Sequence, residues 1–312
     1  MKAFKHVLGA LCCAIALLLP ACPAASQQAL AGSALVETEI SPLPWDHSGG
    51  YAPDPDGFMA DGYRDSSISV RIVQDRRWDN DFSTAYVEIE HPSQLRTGLA
   101  SALGSARNKT SKIAAYHQAV AAINGDFFLN RRKGFVIRQG EVLRDTPDRR
   151  YDLLLIDTQG NFHIVFRDNL EMLDYYLSGA LTIQNAFSFG PALVVDGKQA
   201  DIPERYSFAP LYKNPRAAIG QLGELRYALV VAQGRQEDSQ GVTLEQMAAY
   251  MADIGCVQAF NLDGGNSAAL VLGEEIVSDK SPENERSVSD ILYFATSVDA
   301  LGSGLPQPRE EP

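Results

Sequence analysis

The sequence predicts an α+β fold: a single domain with a mixed, largely antiparallel sheet and a few packed helices. Three observations predict it. Short apolar runs alternate with turn pairs such as Gln139-Gly140, Gly160-Asn161 and Asp196-Gly197, the composition of hairpin connections. Helical spacing is confined to a few stretches, led by the one that begins at Thr243. No βαβ alternation, short-period repeat or second linker divides the body.

In chain order, residues 1–25 read as a signal peptide. Lys2 and Lys5 precede an apolar run from Val7 to Leu19, shorter than the roughly 20 residues of a spanning helix. Leu19-Pro20-Ala21-Cys22 is similar to a lipobox, in which Cys22 would carry lipid and attach the protein to a membrane; cleavage after Ala25 or Ala31 competes. Either outcome implies export, to the periplasm or the cell surface. Residues 26–62 read as a flexible linker, because Pro42, Pro44, Gly49, Gly50, Pro53 and Pro55 leave little apolar area to offset ordering. Residues 299–312 read as a disordered tail, which leaves a folded domain at 63–298.

Within that domain, Ile68-Val70-Ile72 and Tyr86-Val87-Glu88-Ile89 alternate as half-buried strands. Thr110-Ser111 opens a helix, with Thr or Ser available as its cap. Val120 to Ile123 is a buried strand that ends at Asn124-Gly125-Asp126. Hairpins follow at 134–143 and 153–166, then a helical stretch at 169–177 and another hairpin from Gly190. Thr243-Leu244-Glu245-Gln246 matches a capping box, Leu244, Met247, Ala248 and Met251 recur at helical spacing, and Gly255 is placed to end the helix. Strands at 268–272 and 291–294 close the body.

The net charge of −12, without a basic block, argues against nucleic acid as a partner. It does not exclude a small anion held by local arginines. Cys256 is the only cysteine beyond the leader, so no intrachain disulfide framework exists, and its apolar neighbours suggest an inert thiol. His117 and His163 lack a partner at metal-ligand spacing and read as structural or surface residues.

Candidate site residues cluster where polar side chains meet glycine at the end of an apolar strand. In Phe260-Asn261-Leu262-Asp263-Gly264-Gly265-Asn266-Ser267, the glycines would let backbone approach a ligand while Asp263 and Asn266 offer oxygens. The alternative is an ordinary hairpin turn. Asn124-Gly125-Asp126 carries the bulky flank Phe127-Phe128. Arg216, entering an apolar strand after Pro215, needs an anionic partner, whether a ligand or a structural carboxylate. Arg286 lies just before the last strand. Asp126, Asp263 and the amide oxygens suit Mg²⁺ or Ca²⁺ better than zinc, so a divalent cation is compatible with them.

These segments, taken in order with Ala186-Phe187-Ser188-Phe189-Gly190-Pro191-Ala192-Leu193-Val194 and Glu285-Arg286-Ser287-Val288-Ser289-Asp290, resemble the ordered signature of the phosphodiester glycosidase family. The resemblance spans about residues 62–297. Departures are Asn266 where the family usually shows Gly, Ala217 where it shows Thr, Ala268 and Ala269 where it shows Ser or Thr, and Arg131 and Arg132 after the Asn124 motif where a small residue is common; they bear on substrate preference. The resemblance implies hydrolysis of sugar-1-phosphodiesters such as N-acetylglucosamine-1-phosphodiester, in cell-wall or surface polysaccharide. It implies catalytic roles for Asp263, Asp126 and Asn124. Arg216, Arg286, Gly264, Gly265, Asn266 and Ser267 would bind substrate, with the arginines on the phosphate. A non-catalytic glycan-binding domain and a metal-dependent phosphodiesterase that cuts the P–O bond are the alternatives.

Overall fold

A computed structural model describes residues 41–101, 105–278 and 284–305. The signal peptide, the lipobox with Cys22, the linker up to residue 40 and the tail beyond 305 lie outside the described residues. Among the described residues no helix is long and apolar enough to cross a membrane.

The strands form three large sheets. A nine-stranded sheet runs from Phe58–Met59 through Ile68–Arg77, Asn80–Ile89, Arg226–Ala232, Arg216–Gly223 and Gln258–Leu262 to Ala192–Val195 and Lys198–Gln199. A five-stranded sheet contains Asp152–Asp157, Ile183–Phe189 and Gly134–Arg138. Another contains Leu270–Leu272, Ala121–Asn124, Asp290–Phe294 and Leu95–Leu99. Every strand pairing among the described residues is antiparallel, so the mixed component of the expected sheet is absent and the fold is richer in strand than its α+β class suggested.

Side-chain alternation along the nine-stranded sheet explains the layers. Ala217, Ile219, Phe260 and Leu262 face inward, against Ile123, Leu292, Phe187 and Leu154 of the other sheets. Ala218, Ala228, Val230 and Ala259 face the other way, against helix Leu244–Asp253. That helix forms as its sequence indicates. Thr243 Oγ1 accepts from the Gln246 amide at 3.1 Å, Gln246 Oε1 accepts from the Thr243 amide at 3.0 Å, and Gly255 follows at φ 89°.

Two local expectations are corrected. Helix Thr110–Tyr116 has no cap from its own Thr or Ser; the buried Glu285 carboxylate accepts from the Ser111 amide at 2.8 Å and the Ser111 hydroxyl at 2.7 Å. An anion at a helix N-terminus satisfies the same orphan donors from a distance in sequence. The linker also ends earlier than residue 62. Leu43 is buried with Ile113 and Ala295, and the fully buried Arg96 donates to the carbonyls of Pro44, Asp46 and Ser48 at 2.8, 2.9 and 2.9 Å.

Candidate functional site

Several strands deliver their ends to one edge of the sheets. Register pairs Ala217 with Leu262 and Ile291 with Asn124, so Arg216, Asp263, Asn124 and Asp290 all arrive there. Phe189, at the end of its strand, joins them. The cavity they border has a volume of about 310 Å³. Its lining includes Phe189, Asn261, Asp263, Arg216, Arg235 and Arg286, as well as Gly264, Gly265 and Asn266. Among the described residues, one carboxylate therefore faces three guanidinium groups, inside a chain whose net charge is −12.

Asp263 is half-buried, and its buried Oδ2 makes no hydrogen bond. Burial pushes its carboxyl above the usual carboxylate range, against the pull of Ser267 and Arg286. The Ser267 hydroxyl is close enough to be felt, yet no hydrogen bond of good geometry joins the two. Asn261 Oδ1, Ser188 Oγ and Arg131 Nε, on neighbouring segments, also lack partners. Such atoms are scarce in native interiors, and two of them, on Asp263 and Asn261, belong to residues that line the cavity, which suits a site built for a polar ligand.

Asn124 and Asp126 lie underneath. Asn124 is fully buried; its Nδ2 donates to the Asp263 carbonyl at 2.7 Å and its Oδ1 accepts from the Ala269 amide at 3.2 Å. The Asp263 amide donates to the Gly125 carbonyl at 3.2 Å. Asn124 thus orients the aspartate loop and has no surface for a substrate. Asp126 accepts from Arg138 Nη2 at 2.9 Å and from the Ser188 amide at 2.9 Å, and Arg131 Nη2 lies at 3.4 Å. With both oxygens engaged and no exposure, it presents no free carboxylate to the cavity. Arg138 also binds Asp290 at 2.8 Å, so two buried carboxylates share one cation. Burial and Asp126 push Asp290 above its ordinary range, against the pull of Arg138. A Cβ on Gly125 would stand 2.4 Å from the Asp290 carboxylate, which is why that position is glycine.

The arginines divide their work differently from expectation. Arg216 is buried, and burial pushes its pKa down to about 10. Its guanidinium donates to the carbonyls of Val242, Phe208, Ala209 and Tyr212 at 3.2, 2.9, 2.8 and 2.8 Å. Only one of its five N–H groups remains. Arg216 therefore contributes charge and holds the loop 206–213, and it offers no two-pronged fork to phosphate. That loop is strained, with Phe208 at φ 70° and Ala209 at φ 50°, and Phe208 stacks on Phe189 at 3.8 Å to wall the cavity. Arg286 is exposed and lies over the Phe127 ring at 5.0 Å. Arg235, overlooked in the sequence, is exposed beside it in the cavity wall. Its signal was Gly234-Arg235 directly after an apolar strand, the pattern that singled out Asp263. Of the glycine amides, Gly265 already donates to the Pro215 carbonyl at 2.8 Å, which leaves Gly264 for a ligand. A Cβ on Gly264 would stand 2.6 Å from that carbonyl. Ser267 is buried behind the cavity and does not line it.

The donor set does not fit Mg²⁺ or Ca²⁺. Asp126 is committed to guanidinium and amide groups, which leaves Asp263 alone among arginines, whereas these cations need several oxygen ligands. No group of three or more His, Cys, Asp and Glu among the described residues is arranged for a metal. His163 pairs with Asp157 at 2.9 Å, away from the cavity.

A family model described as phosphodiester glycosidase matches residues 117–295. The chain belongs to the phosphodiester glycosidase family. The match takes in Asn124, Arg138, Arg216, Arg235, Asp263 and Arg286. Zebrafish N-acetylglucosamine-1-phosphodiester alpha-N-acetylglucosaminidase, whose catalytic domain was solved auto-inhibited by its pro-peptide, shares the fold. Its TM-score is 0.58 at 17% identity, over 83% of this chain and 98% of that one. A hypothetical protein from Synechocystis gives a TM-score of 0.53 at 18% identity, over 73% of this chain and 62% of that one. In sequence, the prophage-derived uncharacterized protein YomE of Bacillus subtilis (strain 168) is 34% identical over 121 residues, which is 38% of this chain and 19% of YomE. The chain thus spans under a fifth of that relative and less than two thirds of the Synechocystis protein.

Proposed function

We propose that this glycosidase-family protein is an exported hydrolase that cleaves the glycosidic bond of sugar-1-phosphodiesters, N-acetylglucosamine-1-phosphodiester among them, in cell-wall or surface polysaccharide. The observation that carries the reading is that, among the described residues, one carboxylate faces three arginines in one cavity. A phosphodiester is a monoanion, and three guanidiniums suit it in a chain that is otherwise acidic. The signal-like leader and the Cys22 lipobox support export and membrane attachment.

In this reading the phosphate lies against Arg235 and Arg286, with Arg216 adding charge and the Gly264 amide a hydrogen bond. The sugar lies toward Asp263. Water attacks C1 as the C1–O bond breaks, and both electrons of that bond leave on the phosphate monoester oxygen. Asp263 takes the proton of the attacking water and stabilises the positive charge that develops on the sugar ring. A phosphate monoester leaves without strong acid help, which agrees with a cavity lining that holds no second carboxylate among the described residues. Asn124 and the Asp126–Arg138–Asp290 cluster hold Asp263 in place from below.

Hydrolysis in ¹⁸O-labelled water tests the reading. Label in the released sugar is the expected result; label in the phosphate would sink it in favour of P–O cleavage. Binding of glycan without turnover of any sugar-1-phosphodiester would sink it in favour of a binding module.

A further inference from the structure

A second cavity of about 220 Å³ lies against the first and shares part of its wall. Arg235, Gly265 and Asn266 line both. Arg235 is held in this partition: its Nη1 donates to Asn266 Oδ1 at 2.7 Å and its Nη2 to Asn214 Oδ1 at 3.4 Å. The backbone on either side keeps the partition thin. Arg235 sits at φ 63° and Gly265 at φ 61°, and a Cβ on Gly265 would stand 3.3 Å from Arg235 Nη2.

The two cavities differ in chemistry. The first contains Asp263. Among the described residues, the second is lined by no carboxylate and by Arg235 as its charged residue. Gln236 and Asn284 supply amides, Gln233 is buried with its Nε2 donating to Ser83 Oγ at 3.3 Å, and Val231, Ala232 and Ala268 are small and apolar. Such a lining suits an uncharged hydroxylated group better than a second anion or a long alkyl chain.

A phosphodiester has the matching shape. Its one negative charge lies at the junction of two esterified groups, so a guanidinium common to two compartments can hold the charge while each compartment takes one group. Resting on the proposed hydrolysis, we propose that the second cavity binds the alcohol on the far side of the phosphate, and that this alcohol is a polyol such as glycerol, a pentitol or a further sugar. The Arg235–Asn266 pair is the phosphate seat between the two halves.

The test uses the whole protein and methyl, glycerol and n-octyl phosphodiesters of glucose, galactose, mannose and N-acetylglucosamine, all linked at C1. For whichever sugar is accepted, kcat/KM for the glycerol ester should exceed that for the methyl ester by about tenfold, the effect of one or two hydrogen bonds, with the octyl ester no better than methyl. Gln236→Leu should lower the glycerol-to-methyl ratio several-fold, and Asn284→Leu provides a second variant from the same wall. A ratio near one in the wild-type protein, a preference for octyl, or a ratio that neither variant moves overturns the subsite while leaving the hydrolytic reading intact. Failure to hydrolyse any of these esters overturns the hydrolytic reading itself, and the subsite falls with it.

Discussion

Asp263 and the charges beneath it make opposite demands, and both are testable at single residues. The Asp263 carboxyl is raised by burial, so as a base it is protonated and inactive at low pH and gains activity as pH rises through its folded pKa. The acid limb of kcat/KM should therefore lie above the ordinary carboxylate range, and Asp263→Asn should remove the limb together with about 10³ of kcat, the scale of a lost general base. Retention of both would transfer the role elsewhere. Arg138 has the converse job. Arg138→Met leaves Asp290 buried without its cation and Asp126 with Arg131 alone, which should cost about 3–5 kcal/mol in urea unfolding. Without Arg138 the Asp290 carboxyl rises further in the folded state, which then binds more protons than the unfolded chain. The deficit should shrink as pH is lowered from about 8 to about 5; a pH-independent deficit would mean that the cost comes from lost packing against Phe187, 4.0 Å from the guanidinium.

Among the elements, the loop 206–213 is the one whose shape depends on a single side chain. Its residues Phe208, Ala209 and Tyr212 give their carbonyls to Arg216, and without that grip the positive φ at two non-glycine residues has little to sustain it. Arg216→Lys keeps the charge and loses the planar fork. Amide exchange from Phe208 to Tyr212 should accelerate, and KM for phosphodiesters should rise more than for neutral glycosides; unaltered exchange would show that stacking of Phe208 on Phe189 suffices. The elements themselves were largely legible. Strand alternation and the Thr243 box are local signals, and each produced the element it indicated. The Thr110 helix was found but its cap was not, because Glu285 reaches it from 174 residues away. The same limit governed the site. Asp263, Arg286 and Asn266 were legible as polar residues beside glycine or strand ends. The partner of Arg216 was not, since loop carbonyls leave no mark in composition. Arg138 and Asp290 were also missed, being single charges inside apolar strands whose pairing appears only when two sheets meet.

On the scale of the whole molecule, the domain begins earlier than its composition suggests, because one buried arginine recruits a proline-rich segment. Arg96 is fully buried, and its guanidinium is satisfied by Pro44, Ser93, Asp46 and Ser48 carbonyls and by the Tyr293 hydroxyl. Three of those acceptors lie in residues 43–50, the stretch that reads as linker from its Pro and Gly. Leu43 adds a side chain 2% exposed, and the Gly50 amide donates to the His117 carbonyl at 3.0 Å. Pro lowers the entropic cost of laying such a segment along a surface without regular structure, so a proline-rich composition does not show that it is loose. A chain that starts at Tyr51 would leave the Arg96 guanidinium buried with most of its acceptors gone and a gap where Leu43 packed. Each orphaned buried donor costs about 1–3 kcal/mol and a lost core leucine about 2–5 kcal/mol. Their sum is comparable with the whole stability of a domain. A chain starting at Ser41 should therefore melt cooperatively, whereas one starting at Tyr51 should melt far lower or fail to give a cooperative transition. Equal melting temperatures for the two would show that water replaces the lost carbonyls and that residues 43–50 are dispensable to the fold.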